Sequence, residues 1–566
     1  MAESEIIKDK TYFAETDFRG KRTRFGIKFE DRARHVYVIG KTGMGKSTML
    51  ENMVVQDIAD GHGVAVIDPH GSMAEKLLEY VPENRIKDVV YFAPFDLENP
   101  ISFNVMEDVG PEQRHLVVNG LMSAFKKLFG EESFSDRMQY ILQNTLLALL
   151  EYPDSTLLGV NRMLTEKAYR NKVVANVTDA SVKAYWTQEF ANYTERFAAE
   201  ATPAIQNKIG QFTSNPLIRN IIGQPKSSFD FRKVMDEKKI LIINLSKGQI
   251  GEGNANLLGS MIITKIYLAA MSRANLNSAQ MRLVPPFYLF VDEFQSFANE
   301  SFANILSEAR KYKLSLTIAH QYIEQMSEEV RAAVFGNVGT IVSFRVGPFD
   351  AEVFEKIFAP TFTQEDMVNL GFAQVYLTMM INGVGSQPFS AVTLPPIKPL
   401  THSFREEIIQ NSRQAYAKPR SVVEQEIGEW MAVKPATAGE KGSPEAREPK
   451  REPRRESALE RRPQTQSVSP EKVVRPVRET AREPEKVVSL KSLAEKSTDR
   501  EKSTGRHSAD LKQVIASVQQ EVQSALPKSN TTPIAPNPVS QPNQNSAPVS
   551  KPSEIPEQEL KKMLEV

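Results

Sequence analysis

The stretch Ile39-Gly40-Lys41-Thr42-Gly43-Met44-Gly45-Lys46-Ser47-Thr48 decides how this chain is read. It fits G-x-x-x-x-G-K-[ST], a loop whose backbone N–H groups wrap the phosphates of a nucleotide. Its flanks add structural context. Residues 35–39 are apolar and β-branched, as in a buried strand, and residues 49–59 carry Met49, Leu50, Met53, Val54 and Ile58 at helical spacing. Strand, glycine loop and helix in this order bring the positive end of the helix to the phosphates. Gly40, Thr42, Gly43, Met44, Gly45, Lys46, Ser47 and Thr48 are therefore the expected ATP- or GTP-binding set. Lys46 reaches the β- and γ-phosphates and Ser47 offers its hydroxyl to Mg²⁺.

Working outward, residues 63–67 read as a second buried strand that ends in Asp68-Pro69-His70-Gly71. Asp68 either orients water or Mg²⁺ in the crevice of an open α/β sheet or caps a helix over 72–80. Residues 88–92 supply a third strand, and the β-α-β-α-β order predicts a parallel, doubly wound sheet. From 111 to about 224 the period is helical, clearest over 116–129 and 138–150 and weaker over 201–212. Lys126, Lys127, Lys208 and Arg219 there form either a DNA-facing surface or a solvated face. Strand character returns at 239–244, followed by a helix over 254–272. Next comes Phe287-Tyr288-Leu289-Phe290-Val291-Asp292-Glu293, an apolar strand ending in two carboxylates. In a phosphate-loop ATPase such a pair divides the work: Asp292 holds Mg²⁺ and Glu293 polarises the attacking water. Residues 301–313 predict an amphipathic helix that carries Arg310. The strand 314–319 leads into His320-Gln321, where Gln321 is placed to sense the γ-phosphate. Strands over 340–345 and 374–380, a helix over 350–358 and a hairpin over 383–393 complete the expected sheet.

Ile39–Thr48, Asp68-Pro69-His70-Gly71, Val291-Asp292-Glu293-Phe294 and Ala319-His320-Gln321, in this order and spacing, resemble the HerA–FtsK class of DNA-pumping ATPases. Within that class the chain is most similar to the DNA-binding domain of type IV secretion and conjugation coupling proteins, over roughly residues 18–400. The resemblance implies an α/β, RecA-like P-loop NTPase fold with a large, mainly parallel sheet and an all-helical insertion. It also implies ATP and Mg²⁺ as cofactors, a homohexameric ring, and sequence-independent DNA driven through its channel. In such proteins an arginine eleven positions before the sensor glutamine enters the neighbouring subunit's site; here that position is Arg310, with Arg345 in reserve. Membrane-bound members begin with transmembrane helices, and none is readable here. That leaves recruitment to a membrane through partners or a soluble role.

The expected organisation is a lead-in over 1–34, the nucleotide-binding domain over 35–110 and 236–400, the insertion over 111–235, a helical extension over 401–431 and a disordered tail over 432–566. The lead-in is rich in Arg, Lys and Phe. It reads as a solvated strand, with Phe25 to Phe29 alternating like a sheet edge, or as a contact to a neighbour or nucleic acid. The tail has no Phe, Tyr or Trp and cannot bury enough apolar surface to fold; residues 511–526 and 557–564 either order on a partner or act as spacer.

Composition narrows the alternatives. Across 566 residues the formal charge is zero, so any polyanion-binding patch is local. There is no cysteine, which excludes disulfides and thiolate zinc sites, and the seven histidines show no metal-ligand spacing. No apolar run reaches the ~18 residues of a membrane span; 257–271 is interrupted by Lys265 and reads as a buried helix. The expectation is a cytoplasmic ATP hydrolase. A protein-moving secretion ATPase and a nucleotide-gated interaction hub stand as alternatives to the DNA translocase.

Overall fold

The computed structural model describes residues 10–18, 21–193 and 195–432. Of the sequence expected to form the tail, all but residue 432 lies outside them, including 511–526 and 557–564. Thirteen strands are described. In chain order they are β1 (Lys10–Phe18), β2 (Lys21–Lys28), β3 (Val36–Ile39), β4 (Gly63–Asp68), β5 (Val89–Phe92), β6 (Ile240–Asn244), β7 (Phe287–Val291), β8 (Leu314–His320), β9 (Thr340–Ser343), β10 (Gln374–Thr378), β11 (Met380–Ile381), β12 (Val384–Gly385) and β13 (Phe389–Thr393). Eleven form one sheet in the order β2-β1-β13-β10-β9-β3-β8-β7-β4-β6-β5. From β9 to β5 every pairing is parallel, whereas β10, β13, β1 and β2 continue the sheet antiparallel. Every residue of β3 through β9 is buried, which is why β3, β5, β6 and β7 read as near-continuous apolar runs, while β8 buries Ser315, Thr317 and His320 among its apolar residues. Successive side chains feed two cores on opposite faces: Val36 and Val38 into one, Tyr37 and Ile39 into the other.

The helices that matter to the site are α1 (Lys46–Ala59), α2 (Ser72–Leu77), α3 (Arg114–Phe129), α4 (Asp136–Glu151), α5 (Glu195–Thr213), α6 (Glu252–Met271), α7 (Glu300–Glu308), α8 (Pro348–Phe358), α9 (Arg405–Tyr416) and α10 (Arg420–Met431). Between β5 and β6 every described element is helical. Helix α6 is apolar on all sides because all its sides are covered; 83% of its most apolar window is buried inside the molecule. Its Lys265 is only 8% exposed, and burial lowers the ammonium to about 8 while its Nζ donates to the Glu107 carbonyl at 3.3 Å.

Three details differ from the sequence reading. The lead-in holds two strands instead of one, β1 and β2, and the Lys and Arg side chains of β2 line an outer sheet edge, where charge discourages pairing with another chain. Residues 383–393 are not a hairpin of their own: β12 pairs with β11, and β13 pairs with β10 and β1. The helix expected over 301–313 stops at Glu308, and Ala309–Tyr312 continue as a 3₁₀ turn. At the other sheet edge, α9 covers β5, and the Tyr91 N–H donates to Ser412 Oγ at 2.9 Å. Helix α10 then packs Val423 and Ile427 on Leu158 of the helical region.

One buried ion pair ties this frame to the phosphate loop's helix. Arg32, 0% exposed, donates both terminal nitrogens to Asp57 of α1, at 2.8 and 2.7 Å, and lies 3.9 Å from the ring centroid of Tyr288 in β7. Removing one partner strands a buried charge, which typically costs about 3–5 kcal/mol. Asp57→Ala is expected to lower unfolding free energy by about that amount in urea titration, a loss far larger than an exposed pair such as Arg22–Glu15 would show.

His35 adds a pH-dependent element. It is fully buried with left-handed backbone (φ 65°); its Nδ1 accepts from the Leu316 N–H at 3.0 Å and its Nε2 donates to the Leu306 carbonyl at 3.1 Å. Burial lowers its pKa to about 4. The neutral ring is favoured when folded, so its contribution is complete above about pH 6.5 and is lost as pH falls towards 4. Wild-type protein is expected to lose about 3 kcal/mol more over that window than His35→Asn, read as urea midpoints at several pH values.

Candidate functional site

The site lies where the carboxyl ends of β3, β4, β7 and β8 stop level with one another. Ile39 is in register with His320, and Val291 with both Ile318 and Ile67. Three of these strands lead into the cluster, β3 into the phosphate loop, β7 into Asp292 and Glu293, and β8 into Gln321, and β4 ends in Asp68.

The loop from Gly40 to Gly45 needs backbone that side chains resist. Gly40 has φ 153°, and a Cβ there would stand 2.5 Å from Cβ of Phe344; Gly43 has φ 77° with open space around it. The Lys41 N–H donates to the Arg345 carbonyl at 2.8 Å, anchoring the loop to the end of β9. Lys46, buried at the start of α1, turns back over the loop, with its Nζ donating to the Gly40 carbonyl at 2.6 Å and the Lys41 carbonyl at 3.2 Å. Burial lowers its pKa, and the charges of Glu293 and Asp292 oppose that shift.

Ser47 Oγ donates to Asp292 Oδ2 at 2.9 Å, so the two oxygens expected at a metal meet. Asp292 is nearly buried, which raises its pKa; the Ser47 bond opposes this, and the Glu293 charge adds to it. Glu293 holds left-handed backbone, φ 47° and ψ 49°, a conformation that costs a non-glycine residue of order 1–3 kcal/mol and persists only under constraint. The constraint is visible. Its Oε1 accepts from Gln321 Nε2, its Oε2 from Gln295 Nε2, and its N–H donates to Asp292 Oδ1 at 3.0 Å. Gln321 Oε1 in turn accepts from Thr42 Oγ1 at 3.1 Å, closing a chain from phosphate loop to carboxylate through one amide. His70 Nε2 stands 3.9 Å from Glu293 Oε1.

Thr42, Lys46, Ser47, Asp292, Glu293 and Gln321 are thus brought together. Gln295 and His70 are further members that sequence reasoning did not place there; Gln295, two residues past Glu293, sits on the 3₁₀ turn Phe294–Ser296 that folds it back. Asp68 resolves in favour of its capping reading. Its carboxylate accepts from the N–H groups of His70 at 2.8 Å and Ala74 at 2.9 Å, the latter in the first turn of α2. Arg310 is not with the cluster. It is exposed on the turn before β8, at the amino end of the strand whose carboxyl end carries Gln321. Arg345 stands on the site's own edge. Of the basic residues singled out in the helical region, Lys208 Nζ bonds Ser133 Oγ at 2.9 Å and lies 4.5 Å from the Phe129 ring, Lys126 pairs with Glu131, and Lys127 is exposed.

A family model described as "Type IV secretory system Conjugative DNA transfer" matches residues 2–336, more than half of the chain. The chain belongs to that family. No curated protein sequence matches it. Among solved structures, the plasmid coupling protein TrwB in complex with ADP and Mg²⁺ is 15% identical with TM-score 0.51, covering 67% of this chain and 90% of that one. TrwB in complex with the non-hydrolysable GTP analogue GDPNP is also 15% identical, with TM-score 0.50, covering 66% and 88%. At such identity the likeness speaks for the fold, and the fold is the one expected.

The two glycines give a direct check on the loop. Gly40→Ala adds a steric clash to an unfavourable φ, whereas Gly43→Ala meets only the φ penalty of about 1–2 kcal/mol. Thermal unfolding is expected to drop for both variants, and distinctly further for Gly40→Ala.

Proposed function

We propose that this protein is an ATP-driven, ring-forming DNA translocase of the type IV secretory conjugative family. The observation that carries the reading is the convergence of phosphate loop, Ser47–Asp292 pair, Glu293 and Gln321 at the carboxyl ends of the central strands, in a chain of a conjugative DNA transfer family. In this reading the motor comprises residues 35–110 and 236–400, with β1 and β2 added to its sheet, and 111–235 forms the helical insertion. The 1–34 lead-in and the 401–431 extension flank it.

ATP would bind with its phosphates along Gly40–Thr48, and Lys46 would exchange its two carbonyl partners for phosphate oxygens. Ser47 and Asp292 supply hard oxygen donors that suit Mg²⁺. No group of three or more His, Asp or Glu side chains fit to hold a metal occurs among the described residues, which suits an ion held largely by substrate phosphates. When bound, Mg²⁺ neutralises charge developing on the phosphates. Glu293 acts as the base that orients and polarises water, held by Gln295 and Gln321. Gln321 touches both Thr42 and Glu293, so loss of the γ-phosphate would be felt at both ends of one amide. Gln295→Ala is expected to lower kcat with little change in KM in steady-state kinetics, since it orients Glu293 without touching substrate.

Arg310 can serve only a neighbouring site. The seven residues of β8 separate it from Gln321, about 23 Å at 3.3 Å per residue. A homohexameric ring in which the amino-end face of one subunit meets the carboxyl-end face of the next supplies the arrangement it needs. DNA would pass through the channel held by its backbone, on the cytoplasmic side of a membrane where secretion partners recruit the ring.

The test is steady-state ATP hydrolysis with and without double-stranded DNA at two salt concentrations. DNA is expected to stimulate turnover, less so at high salt, because phosphate contacts release counterions. Glu293→Gln is expected to lose about 10²–10⁴ in rate and Arg310→Ala about 10³–10⁵. Turnover indifferent to DNA would overturn the translocase and favour a protein-moving ATPase.

A further inference from the structure

A second feature of the loop's surroundings is an exposed aromatic ring on a rigid mount. Phe372 is 74% exposed, and it precedes Ala373, whose backbone is left-handed at φ 61°. That conformation is costly for alanine, and three hydrogen bonds hold it. The Ala373 N–H donates to the Met44 carbonyl of the phosphate loop at 3.2 Å, and the Ala373 carbonyl accepts from the Thr393 N–H at 2.8 Å and its Oγ1 at 3.3 Å. On the other side of Phe372, the Gly371 N–H donates to Gln374 Oε1 at 2.7 Å. The ring therefore projects from a braced turn bonded to the phosphate loop itself.

Sheet order supplies the direction. Glu293 and Gln321, which mark the γ end of a bound triphosphate, come from β7 and β8 on one side of β3. The turn with Phe372 opens β10, two strands away on the other side, about 10 Å at the usual strand spacing. A triphosphate with its γ end at Glu293 leaves the loop toward β9 and β10, and the span matches the reach from phosphates to base. Gly371 and Ala373 carry no side chain that could crowd a base, and the Gln374 amide oxygen is turned back to the Gly371 N–H. A base lying there is met on its face by the Phe372 ring.

We propose that Phe372 is the base-stacking wall of the nucleotide site, meeting the base of a purine nucleoside triphosphate on its face. The inference rests on the nucleotide-binding reading above. The test is calorimetric titration of the full chain, with Mg²⁺, using ATP, GTP and inorganic tripolyphosphate, which lacks a base. Wild type is expected to bind ATP and GTP more tightly than tripolyphosphate, the base supplying the difference. Phe372→Ala is expected to weaken both by about 5- to 100-fold and leave tripolyphosphate unchanged, with Phe372→Tyr restoring them. Two results would overturn the base wall: ATP and GTP binding unaffected in Phe372→Ala, or tripolyphosphate weakened in parallel, which would make the ring a prop of the loop. Wild type binding none of the three would sink the nucleotide reading itself.

Discussion

Everything at the site depends on parallel strands that end level. Hydrogen-bonded register between β3, β8 and β7 fixes Ile39 against His320 and Ile318 against Val291, so the groups that follow cannot drift apart along the sheet. The strands are buried on both faces, and a one-residue slip would turn every apolar side chain toward the wrong core. The geometry of the site is thus held by the hydrophobic core of the whole domain.

On that rigid floor the protein places one strained residue. Glu293 adopts a left-handed backbone just past β7, and its carboxylate is gripped from two directions by Gln295 and Gln321. A free glutamate at the end of a strand would sample many rotamers; this one has its backbone and both oxygens specified. Because Gln321 also holds Thr42, a change in the phosphate loop is passed to the carboxylate through a single amide. Behind the cluster, fully buried His320 meets the Tyr37 hydroxyl at 3.1 Å, and burial lowers its pKa to about 3, keeping the ring neutral under the phosphate loop.

The frame around the site is closed at both edges and across its back. Charged β2 guards one edge, α9 covers the other, and α10 fastens the chain's last described helix to the helical region, where Arg162 donates to the Trp430 carbonyl at 2.6 Å. The Arg32–Asp57 pair joins the turn after β2 to α1, with Tyr288 of β7 stacked on its charge, so the helix behind the phosphate loop and the strand bearing the acidic pair share one buried anchor.

The sequence by itself determined the parts. Local chemistry is strong enough in G-x-x-x-x-G-K-[ST], in the apolar runs of β3, β4, β6 and β7, and in Asp292-Glu293 to name the phosphate loop, the buried strands and the acidic pair, because each depends on neighbours within a few residues. Only tertiary structure decided their arrangement. The insertion of β8 between β3 and β7, which sets Gln321 between loop and carboxylate, follows from a chain order that local pattern does not encode. Asp68 acts as a cap because the fold brings the Ala74 N–H to donate to its second oxygen, a contact the residue type alone does not dictate. The role of Gln295 comes from a turn at Glu293 that no residue type announces, and the place of the β1–β2 pair in the sheet comes from β13, more than 370 residues beyond β1.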